Sequence, residues 1–81
     1  MAYSQDLLTE LNVPEDAFAA MVDRDRDLNQ LYKEYRAKER EVSAAESNGA
    51  ADGEVARLRR ERLLIKTKIE EMVRPSLPEG A

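Results

Sequence analysis

The sequence predicts an all-α fold: an antiparallel, coiled-coil-like helical hairpin with a short N-terminal helix, pairing with others of its kind into a helical bundle. Three observations predict it. Met21, Leu28, Tyr35 and Val42 recur every seven residues, and Leu58, Ile65 and Met72 repeat the pattern further on. Between the two series lies the one internal stretch that combines turn formers with small residues, Ser47 to Gly53. The composition, 37% charged and 5% aromatic beside 42% hydrophobic, suits helices better than a sandwich or barrel.

The first element is a short helix within residues 1–13, capped by Ser4, carrying Leu7, Leu8 and Leu11 on one face and ended by Asn12 and Val13. Pro14 enforces that stop, because proline disfavours the helical conformation in the residue before it. It also suits the first position of a second helix, with Glu15 and Asp16 placed where carboxylates favour the helix dipole. From Pro14 to Glu46 nothing in the residue types breaks a helix, so one rod over residues 14–46, roughly 50 Å long, is expected. Phe18, Val22, Leu31, Tyr32 and Ala45 extend its apolar stripe at three- and four-residue offsets.

Residues 47–53 form the turn, with Asp52 the expected N-cap of a last helix over 54–74. On that helix Val55 and Ile69 share the side of Leu58, Ile65 and Met72. Leu63 and Leu64 widen the stripe, and Arg62 interrupts it with an aliphatic stem that packs while its charge reaches water. Pro75 and Pro78 end helical structure and leave 75–81 as a flexible tail.

An antiparallel pairing about residue 50 sets Val42 against Leu58, Tyr35 against Ile65 and Leu28 against Met72, apolar on both sides each time. The first long helix then overhangs the second by about 12 residues at equal rise. Phe18, Met21 and Val22 are left without a facing helix, so either the N-terminal leucines fold back over them or a second subunit does. A hairpin of this size has a marginal core, and pairing two hairpins into a four-helix bundle completes it economically. A homo-oligomer, with a dimer favoured, is the expectation.

The residue inventory narrows function. The chain has no cysteine and no histidine, its serines lie at caps, turns or tails without a partner base, and there is no phosphate-cradling glycine loop, so no enzymatic activity, metal or cofactor is expected. No apolar run approaches a membrane span and no basic-then-apolar start marks export, which leaves a cytoplasmic protein without a membrane partner as the expectation. The net charge of −4 argues against general nucleic-acid binding. It is unevenly spread, from −5 over residues 1–27 to +2 over 54–81, counted along the sequence.

Two candidate surfaces emerge. Phe18, Met21, Val22, Leu28 and Tyr32 form the candidate interface for an unidentified protein partner, because the overhang needs a cover. Arg57, Arg59, Arg60 and Lys66 are the candidate contacts for an acidic partner or nucleic acid. The favoured reading of that cluster is internal pairing with Glu34, Glu39 and Glu41 on the facing helix. The run from Asp23 to Asp27, alternating acid and arginine, reads as a solvated helix surface. The expected function is a non-enzymatic protein–protein interaction module that self-associates through its apolar stripe. The alternative is a nucleic-acid-associated accessory protein using the basic second helix of the hairpin, over 54–74.

One set of residues resembles a known family. Phe18, Met21, Val22, Leu28 and Asn29, followed after the Gly49 turn by the run from Glu54 to Ile69 (EVARLRRERLLIKTKI), are similar to the YdcH-like small bacterial proteins. The resemblance covers about residues 17–73. It implies a helical hairpin in a bacterial cytoplasm with no established activity. Family members commonly carry histidine at the position of Asp25 and aspartate at that of Asn29, so no role resting on that histidine carries over to this chain.

Overall fold

The structure, a computed structural model, describes residues 3–76. They form four helices, α1 (Gln5–Leu11), α2 (Glu15–Arg24), α3 (Arg26–Ser47) and α4 (Asp52–Val73), followed by a 3-10 turn over Arg74–Ser76. No strand occurs among the described residues. The hairpin expected from the heptads is α3 packed against α4. Residues 77–81, most of the expected tail, lie outside the described residues.

Each boundary has a local cause. Ser4 caps α1, its hydroxyl accepting from the Leu7 N–H at 3.3 Å. Asn12 ends the helix in the left-handed region at φ 59°. The Asn12 N–H donates to Thr9 and the Val13 N–H to Leu8, a Schellman cap that satisfies the last carbonyls and turns Val13 inward. Gly49, at φ 71°, repeats that cap at the hairpin tip: its N–H donates to Glu46 and that of Ala50 to Ala45. Glycine adopts this conformation without the Cβ penalty, which is why the tip falls there. Asp52 does not cap α4. Ala51 stands at the N-cap with no side-chain bond, and Asp52 and Glu54 lie in the first turn, where they favour the dipole.

The expected rod over 14–46 is two helices. The chain breaks at Asp25, which sits extended at φ −126° and ψ 107°. Its carboxylate accepts from the Asp27 N–H at 3.0 Å and the Leu28 N–H at 3.3 Å, capping α3. Aspartate is a poor interior helix residue and a strong N-cap, so the break exchanges a continuous backbone ladder for a good cap. It also shortens the molecule to 42 Å in its longest dimension.

The break lets α1 and α2 fold against the open end of the hairpin. One core results, containing Leu7, Leu8, Leu11, Val13, Phe18, Met21, Val22, Leu28, Tyr35, Ile69 and Val73. Tyr3, Phe18 and Tyr32 meet as an aromatic trio with ring centroids 5.0 to 5.6 Å apart. Polar contacts fix α1 in place. The Ser4 N–H donates to the Tyr32 hydroxyl at 2.9 Å, the Tyr3 N–H to Glu15 at 3.0 Å, and Lys66 of α4 bridges to Glu10 at 3.1 Å.

Candidate functional site

The candidate protein interface is core. Phe18 is fully buried, Met21, Val22 and Leu28 are buried beside it, and Tyr32 is half-buried with its hydroxyl accepting from Ser4. The overhang is covered by the chain's own α1, the first of the two covers the sequence leaves open. These five residues therefore present no docking surface, and the correction follows from the chain reversal at Asn12 and the break at Asp25.

The basic quartet is mostly engaged, though not with the acids expected. Arg57 bridges to Glu61 at 3.0 Å, Lys66 to Glu10 at 3.1 Å, and Arg59 to Glu46 across the tip. Arg60 is exposed and makes no ion pair among the described residues. Glu39 and Glu41 instead take α3's own Arg36 and Lys38, at 3.1 and 3.3 Å, and Glu34 accepts from Gln30. The link between α3 and α4 runs the opposite way in charge, from Lys38 to Glu61 at 2.9 Å, in the register the paired apolar positions predict. Its hydrogen bond raises the Lys38 pKa and lowers that of Glu61 below the usual carboxylate value. Arginines 57 and 59 lie on the flanks of α4 while its apolar stripe faces α3, which is why they reach Glu61 and the tip rather than the middle of α3.

The exposed apolar feature lies elsewhere. Leu63 and Leu64 are 52% and 59% exposed, although the heptad reading assigned them to the stripe. Successive helix positions turn by 100°, so Leu64 stands about 100° and Leu63 about 200° from the inward Ile65. That arithmetic was available in the sequence. Around the two leucines stand Arg57, Arg60, Thr67, Lys68 and Glu71, all exposed. The outer face of α4 thus combines a wet apolar centre with charged ends.

Among the grooves flanking the hairpin, two gather several cations. One, between α1 and α4, is lined by Glu10, Tyr35, Arg59, Arg62, Leu63 and Lys66. Burial there raises the Tyr35 phenol pKa, with Glu39 adding to the effect and Arg62 opposing it. The other groove brings Tyr3, Tyr32 and Asn29 together with Lys33, Arg36 and Arg40 of α3. The sequence reading passed over this row of cations, although its four- and three-residue spacing puts all three on one line of the helix. No group of three or more acids poised to hold a metal occurs among the described residues, and no described helix is long and apolar enough to cross a membrane.

No curated protein and no solved structure matches the chain. A family model does match, over residues 28–73, which spans α3, the Gly49 tip and α4 but not the α1–α2 cover. In agreement with the YdcH-like resemblance, the chain belongs to the family described as a protein of unknown function (DUF465).

Proposed function

We propose that this chain is a non-enzymatic helical interaction module, working in the cytoplasm, whose docking surface is the outer face of α4. The observation that carries the reading is the exposure of Leu63 and Leu64 in a small chain whose other large hydrophobics are at least partly covered among the described residues. Two neighbouring leucines left in water forgo the roughly 25 cal/mol per Å² that a partner surface would recover. Their charged rim supplies orientation and solubility rather than affinity.

The test is affinity capture from the native host's lysate with wild-type bait and Leu64→Glu and Arg60→Glu baits. Leu64→Glu should lose the captured proteins while keeping wild-type helicity by circular dichroism, and Arg60→Glu should reduce them. Undiminished capture by the Leu64 variant would reject the surface.

The nucleic-acid alternative draws more support from α3 than from α4, three of whose four candidate cations already hold carboxylates. Lys33 and Arg40 are exposed, make no ion pair among the described residues and line one groove with Arg36, which also holds Asp23. A gel shift with single-stranded RNA at low salt, lost in a Lys33→Glu/Arg40→Glu variant, would favour it. The absence of any shift would remove it.

A further inference from the structure

The outer face of α4 carries a line of residues that complements itself when reversed. Arg60, Leu64, Thr67 and Glu71 follow one another at spacings of four, three and four residues, which aligns them along a single line of the helix. The order is cation, apolar, small, anion. Read in the opposite direction it becomes anion, small, apolar, cation, the complement of itself. Such a line is complementary to a copy of itself running antiparallel about a two-fold axis, the commonest symmetry of small assemblies.

The details agree with that geometry. Arg60 and Glu71 are both exposed and neither makes an ion pair among the described residues, whereas their neighbours Arg57 and Glu70 are satisfied by Glu61 and Arg74. The Thr67 hydroxyl donates to the Leu63 carbonyl at 3.0 Å, so its hydrogen-bonding need is met within the helix. Thr67 thereby offers a small, saturated surface opposite a leucine. Among the described residues no element covers this line.

We propose that the occupant of the α4 face is a second copy of this chain, packed antiparallel with the two-fold axis midway between Leu64 and Thr67. Arg60 then faces Glu71 of the second copy, Leu64 lies over Thr67 of the second copy, and each contact occurs twice. Leu63 flanks the line and closes it from the side of α1. This inference rests on the reading of the α4 face as a docking surface and adds the identity and orientation of what docks. The contact spans three turns, about 16 Å from Arg60 to Glu71. It is a small interface, so the dimer should dissociate on the order of tens of micromolar.

Analytical ultracentrifugation of the full chain across about two decades of concentration around that value tests the proposal. The wild type should pass from monomer to dimer mass, and Leu64→Glu should stay monomeric with unchanged helicity. Arg60→Glu and Glu71→Arg, taken singly, each replace two attractive pairs by two like-charge contacts and should weaken dimerisation about tenfold. The double variant Arg60→Glu/Glu71→Arg should restore it to near the wild-type level, which a non-specific apolar contact or a different register would not do. A wild type that stays monomeric throughout, a dimer untouched by Leu64→Glu, or a double variant no better than the singles would each overturn the proposal. Lysate capture that still depends on Leu64 would then leave the docking surface standing with a different occupant, and capture independent of it would remove both.

Discussion

The two ends of the hairpin are built differently. At the open end, α1 and α2 close over α3 and α4, and Leu7, Phe18 and Ile69 are fully excluded from water with Val73 nearly so. At the tip only two helices remain. Val42 and Leu58 are buried there apart from the main core, amid small residues and the ion pairs Lys38–Glu61, Arg57–Glu61 and Arg59–Glu46. Apolar packing contributes strongly per side chain, and exposed ion pairs contribute little. Stability is therefore concentrated at the open end, and the tip is the part expected to open locally at lower free energy.

Phe18→Ala should break the comparison most severely. It empties the centre of the aromatic trio at a cost of about 3–5 kcal/mol, comparable to the whole stability expected of so small a domain. Urea melts followed by circular dichroism should show the chain largely unfolded or close to it. Val42→Ala, the matching deletion near the tip, removes two methylene equivalents and should cost about 1.5 kcal/mol. A Val42 variant as damaging as the Phe18 variant would show that the two ends fold as one unit.

Asp25→Ala probes the junction between the two regions. Loss of the side-chain cap should cost about 1 kcal/mol, while Asp25→Asn, which keeps an accepting oxygen, should cost far less. Equal losses in both variants would show that charge at the helix start matters more than the capping geometry.

The smallest effects are in pH dependence. The Tyr35 phenol and the Lys38 ammonium both have pKa values raised from 10.0 and 10.5 respectively, the first mainly by burial and the second mainly by the Glu61 hydrogen bond. A raised folded value means the contribution is complete below the unfolded pKa and is lost as pH rises through the folded one. Denaturation midpoints should accordingly fall in the alkaline range, and Tyr35→Phe should flatten part of that fall. On the acid side the Glu61 value is lowered from 4.5, so its contribution is present above that pH and is lost as pH drops through the folded value. Glu61→Gln should remove that part of the acid dependence, read in the same melts.

Much of the fold was legible because its determinants are local. Ser4, Asn12, Pro14 and Gly49 act through their own backbone or nearest turn, and the seven-residue spacing selects the facing stripes whatever the rest of the chain does. The break at Asp25 was not legible in the same way. An aspartate within an alternating charged run is compatible with a solvated helix surface or with a cap, and the residue types alone leave the two close in free energy. The candidate interface failed for the same reason, since Phe18, Met21 and Val22 were identified correctly as apolar residues needing cover but their cover lies in the same chain. At Leu63 and Leu64 the signal lies in the helical angle, because adjacent leucines point about 100° apart and cannot both join the stripe that faces α3.

What the sequence by itself determined is the helical hairpin, its tip at Gly49 and the reversal after α1, because each is fixed by backbone preferences and periodicity over a few residues. Only the tertiary structure decided that the long helix breaks at Asp25, that α1 closes the open end, and that the leucines left in water are on α4. The physical reason is that burial of Phe18 depends on elements distant in sequence meeting in space. That gain in apolar contact outweighs the few backbone hydrogen bonds forgone at the break, and no local pattern records the balance.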